Sequence, residues 1–122
     1  MSRVTLTAKT PLGTLGTPYA TANAADLTMT AANASDKQQV AHSGKVLVIA
    51  HNTGGSGHTV TVTSTTDSHG RTGDIAAYAL GAGEYAAFGP FDLDGWAQTD
   101  WKLYFEADNA EVKFGVVDLS NY

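Results

Sequence analysis

Residues 45–64, KVLVIAHNTGGSGHTVTVTS, decide the fold. Two runs of β-branched residues flank a connection of Asn, Thr, Gly and Ser, a pattern that predicts two strands joined as a β-hairpin. In the second run Val60 and Val62 alternate with Thr59, Thr61 and Thr63, the two-residue period of a strand with one buried and one wetted face. The first run, residues 46–50, is apolar at every position. That predicts a strand covered on both faces, by a second layer of its own chain or by another chain.

Further strand signals lie on either side. Residues 4–8 alternate Val4, Leu6 and Ala8 against Thr5 and Thr7, and residues 26–31 set Leu27 and Met29 against Thr28 and Thr30. Downstream, strands are predicted at 75–80, 84–88, 102–106 and 112–119. Pro90 is expected to end the run at 84–88, because proline cannot donate to a ladder. Around Gly115 the apolar phase slips from Val112, Phe114 and Val116 to Val117 and Leu119, which predicts a bulge. Residues 33–43 are polar. Ser35 and Gln38 have capping-box spacing, but only Val40 could anchor a helix, so one helical turn is the most expected there. The sum is eight short strands with no helical periodicity. It predicts an all-β, single-domain antiparallel β-sandwich over residues 1–122, with a jelly roll as the leading topology and a small barrel second.

Residues 9–24, KTPLGTLGTPYATANA, fit neither ladder nor helix, since prolines and glycines interrupt them throughout. They read as an extended arm or long loop. In the arm reading Pro11, Leu12, Leu15, Pro18 and Tyr19 lie in a groove on another chain.

Composition bounds the function. A length of 122 residues fits one domain with its own core. Cysteine is absent, which removes disulfides, thiolate metal sites and cysteine nucleophiles. A formal charge of −5, with only seven Lys and Arg, scattered along the chain, argues against a nucleic-acid partner. The opening MSRVTLTAK carries neither a secretory signal nor a membrane span, so synthesis in the cytoplasm and no membrane partner are expected.

No constellation carries recognisable chemistry. His42, His51, His58 and His69 match no tight metal motif, although His51 and His58 flank the hairpin loop and could face each other. Asp67, Asp74, Asp92, Asp94 and Asp100 fall in loops without the order of a calcium site, and residues 92–95 read more simply as an Asx turn. No serine sits in a nucleophile-elbow context, and NTGGSG lacks the ending of a phosphate loop. The expectation is therefore no enzyme, no cofactor and no metal. Aromatic residues crowd the last third. Phe88, Phe105 and Phe114 read as core, whereas Trp96 and Trp101 stand at loop or strand ends, where they either close one end of the fold or contact a partner.

Taken together, the blocks VLVIAHNTG, HTVTVTS, HGRTGDI, AGEYAAFGPF, GWAQTD and VKFGVV, in that order over residues 44–119, resemble small capsid decoration (head auxiliary) proteins of tailed bacteriophages and prophages. That resemblance implies a non-enzymatic virion protein on the capsid exterior, made in the cytoplasm of the host bacterium. It implies a homotrimer that binds the major capsid protein and cements neighbouring capsomers. The alternative is a carbohydrate-binding module that stacks a glycan on Trp96, Trp101 and Tyr104.

Overall fold

The computed structural model describes residues 3–12 and 25–120. Leu15, Pro18 and Tyr19, and with them most of the proposed arm, lie outside the described residues. Among those residues there are nine strands and no helix, in two mostly antiparallel sheets. The five-stranded sheet runs in the order β1 (Val4–Leu6), β3 (Gln38–Ala41), β8 (Lys102–Ala107), β5 (His58–Thr63), β6 (Ile75–Leu80). The four-stranded sheet runs β2 (Thr30–Ala31), β9 (Val112–Asp118), β4 (Val46–Asn52), β7 (Tyr85–Phe91). Only β1 and β3 pair in parallel within the sheets.

The predicted hairpin is not formed. Its two strands exist, but β4 pairs with β7 and β9 while β5 pairs with β6 and β8 in the other sheet. Fully buried Asn52 makes this crossing possible. Its amide nitrogen donates to the carbonyls of Ser56 and Leu80, and its side-chain oxygen accepts the Gly54 N–H, so the connection folds around a side chain instead of a two-strand turn.

Both sheets supply one cluster of buried side chains. Phe105 of β8 and Phe114 of β9 meet edge to face at 4.9 Å, and Val46, Val48, Ala50, Val60, Val62 and Leu103 are fully buried around them. In β4 the alternate residues Leu47 and Ile49 are half-buried, so within this chain the strand is fully covered on one face, and its apolar run predicts cover for the other by a second layer or another chain.

The ninth strand, β3, lies where one helical turn was expected. Its burial is carried by glutamines: the Gln38 amide nitrogen donates to the Asn33 carbonyl and that of Gln39 to the Thr5 hydroxyl, which partners N–H groups that a hydrophobicity pattern reads as surface, while the buried Gln38 Oε1 has no partner among the described residues. The strand expected at 26–31 shrinks to two residues, because Leu27 and Met29 lie against β9 instead. A Cβ on Gly115 would stand 2.6 Å from the Met29 sulfur and 3.0 Å from Leu27. Hence Gly115 makes room for that cover and does not mark a bulge. The β4–β9 register runs unbroken from Val46↔Asp118 to Asn52↔Val112. Irregularities fall elsewhere: β7 continues through the cis Gly89-Pro90 bond to Phe91 with an extra residue against β4, and β6 carries an extra residue against β5 between Ile75 and Tyr78.

Candidate partner-binding surface

One end of the molecule is assembled from three connections. Residues 92–101 precede β8, residues 64–74 follow β5, and residues 42–45 follow β3. The first two are tied together closely. Asp94 accepts both the backbone N–H and the hydroxyl of Ser68, the Thr65 N–H donates to the Gly95 carbonyl, and the Gln98 amide reaches back to the Thr63 carbonyl. Within residues 64–74, Asp67 accepts N–H groups from His69 and Arg71 and pairs with the Arg71 guanidinium at 3.0 Å. The Arg71 N–H, above all, holds the Asp67 carboxyl below its ordinary value, and the Ser64 N–H and hydroxyl do the same for Asp74. Asp67 is thus occupied by its own turn, whereas Asp94, in the segment read as an Asx turn, bonds across to Ser68 in the neighbouring loop.

The two tryptophans have different surroundings. Trp96 is half-buried, with its ring tilted against Phe91 at 4.6 Å, and belongs to the core cluster. Trp101 is 66 % exposed. Its backbone N–H donates to the Gln98 carbonyl, its carbonyl accepts the His42 N–H, and it is held in the left-handed region at φ 62°. For a bulky side chain this conformation is an outlier. An exposed indole on strained backbone gains little from folding.

Trp101 and Leu93, both exposed large apolar side chains, line a groove of about 670 Å³ together with Thr65, Thr66, Asp94, Gln98 and Thr99. Trp96 instead faces an adjoining hollow of about 210 Å³ beside Asp67 and Arg71, across the strip formed by Thr65, Asp94 and Gly95. Tyr104 is in neither. It lies on β8 under the Arg3 guanidinium, 4.1 Å from its ring centre, and donates to Asp100, a bond that holds its hydroxyl above the usual tyrosine value. Hence the three-ring platform of Trp96, Trp101 and Tyr104 is not assembled, and Trp101 alone presents an open face.

The described part of the arm starts near this end. Lys9 bridges to Val117 in parallel and bonds Val116 and Asp118 through its backbone. Pro11 is half-buried and Leu12 is exposed. Asp118 in turn accepts the Ser43 hydroxyl, in the same turn that holds Trp101. Through Asp118, the backbone of Lys9 and the turn that holds Trp101 thus meet the same end of β9.

The histidines are dispersed. His51 stacks on Tyr85 at 3.7 Å on the outer face of the four-stranded sheet, whereas His58 lies between Asp108 and Glu111, 3.2 and 2.9 Å from its two ring nitrogens. They do not face each other, and among the described residues no three His, Asp or Glu side chains converge as metal ligands. Neither the stacked pair nor the doubly bridged His58 has a signal in the sequence, because both join residues distant along the chain.

Comparison with protein-family models, with curated proteins and with solved structures finds no match for this chain.

Proposed function

We propose that this protein is a non-enzymatic virion component that docks on the outside of a tailed-phage capsid and cements it, as a homotrimer, through the end bearing Trp101. The observation that carries the reading is Trp101 itself: a large, open aromatic face, on strained backbone, beside Leu93 in a groove. Buried aromatic anchors of this kind dominate protein interfaces. The strand orders support a two-sheet sandwich of jelly-roll type. The orders β2-β9-β4-β7 and β3-β8-β5-β6 match two interleaved Greek keys, with β1 added beside β3. Viral capsid and lectin domains use that architecture.

The groove's polar rim favours a second reading, a carbohydrate site. The Thr66 and Thr99 hydroxyls make no hydrogen bond within the described residues and flank the Trp101 face, so a sugar ring could stack on the indole while its hydroxyls bond to the rim.

Immunogold labelling of virions induced from the source strain separates the two. Label over the head supports docking, and its loss with Trp101→Ala identifies the surface. Retention on a glycan array with no label on particles supports the carbohydrate site and rejects the capsid reading.

A further inference from the structure

The turn that holds Trp101 is built on a buried histidine. The His42 side chain sits at the end of β3 in a residue only 6 % exposed. Its Nδ1 accepts the Gly44 N–H at 3.2 Å, which assigns the proton of the neutral ring to Nε2; Nε2 has no close partner among the described residues, and the Asp92 backbone acts on the ring as a more distant acceptor. The only place for a second proton is Nδ1. An N–H there would point at the Gly44 N–H, exchanging a hydrogen bond for a donor facing a donor. The same turn carries two further links, the His42 N–H to the Trp101 carbonyl at 3.0 Å and the Ser43 hydroxyl to Asp118 at 2.8 Å.

We propose that His42 is an acid-operated catch, whose protonation opens the 42–44 turn and releases Trp101 from the position in which it is presented. The groups acting on the ring from the elements packed against it are the backbone and then the carboxylate of Asp92, directly after β7, and the carboxylate of Asp118, at the end of β9, and all of them favour the imidazolium. Burial outweighs them and holds the ring below its ordinary value of 6.5. The sign follows from that direction. The open turn binds the proton more readily than the closed one, so the closed turn is fully favoured above 6.5 and loses ground as the pH falls through 6.5 towards the folded value. One proton limits the effect to about tenfold in the closed-to-open ratio per pH unit.

That the catch governs release from a capsid rests on the docking reading above, whereas the catch itself does not. The test compares wild type with His42→Asn by NMR between pH 8 and 4.5. Asparagine places an oxygen where Nδ1 stands and accepts the same N–H without titrating. The Gly44 and Trp101 amides should exchange faster in wild type than in the variant at the same pH below 6.5, by up to about tenfold per unit. Identical pH dependence in the two proteins overturns the proposal. So does a His42 ring that titrates in wild type at or above the free value, a measurement that needs no variant to fold. With the catch shown by exchange, particles shedding wild type but not His42→Asn at pH 5 supports both readings. Exchange without any particle binding at neutral pH rejects the docking reading and leaves the catch standing.

Discussion

Replacing Trp101 by glycine should give a more stable protein than replacing it by alanine, the reverse of the usual order inside or beside a strand. Both variants lose the same ring. A tryptophan side chain offers up to about 250 Å². With 66 % of the residue exposed, roughly a third of that, about 80 Å², is withdrawn from water. At about 25 cal/mol per Å² this contributes about 2 kcal/mol, and it cancels in the comparison. What remains is backbone. Alanine at φ 62° keeps a Cβ in the left-handed region, at roughly 1–2 kcal/mol. Glycine is free of that strain but restores about 0.4–1 kcal/mol of freedom to the unfolded chain. The difference favours glycine by about 0.5–1 kcal/mol. For a urea slope of about 1–3 kcal/mol/M this is a rise in midpoint of a few tenths of a molar, read by circular dichroism. Equal midpoints, or a higher one for alanine, would refute the assignment of strain to Trp101. The docking reading would then lose the argument that the tryptophan is kept against the preference of its own backbone.

Other outcomes follow from the same structure. Asn52→Ala strands the Leu80 and Ser56 carbonyls and the Gly54 N–H around a fully buried site, and should cost about 2–3 kcal/mol in urea unfolding, with raised hydrogen exchange over residues 53–57. Phe105→Ala removes half of the aromatic contact between the sheets and should cost about 3–5 kcal/mol, measured as a fall in thermal midpoint. The Asp67 and Asp74 carboxyls lie below the ordinary 3.8, so their stabilisation is complete above that value and is lost as the pH falls through it and beyond. Asp74→Asn should therefore flatten the acid limb of the stability profile below about pH 4 without changing its shape near pH 7.

The strands that alternate cleanly in sequence are those whose two faces differ in the fold. β5 and β8 put valine, leucine and phenylalanine inwards and threonine, lysine, tyrosine and glutamate outwards, and their periodicity alone predicts them. β3 escaped the same test because Gln38 and Gln39 are buried with their amides bonded to Asn33 and Thr5. Satisfaction of that kind depends on partners at specific places, which a hydropathy pattern does not encode. The hairpin failed for another reason. Gly, Ser and Asn suit a tight turn and a crossing equally, and the choice is made by Asn52 finding the Leu80 carbonyl 28 residues away.

The candidate surface divides in the same way. Position in a loop drew attention to both tryptophans, yet only partners separate them: Phe91 holds Trp96 against the core, while Trp101, in a left-handed turn, keeps its own ring exposed. His42 was unreadable altogether, since nothing in the sequence says that a histidine next to Ser43 and Gly44 is buried with one nitrogen bonded within its own turn and the other without a close partner. Its burial costs desolvation that a solvent-facing turn residue would avoid. The end of the molecule that carries the strained, exposed indole thus also carries a poorly satisfied buried ring, one hydrogen bond away. Two local costs to stability in contact with each other are what the docking proposal expects of this surface, and the Trp101 and His42 variants test them separately.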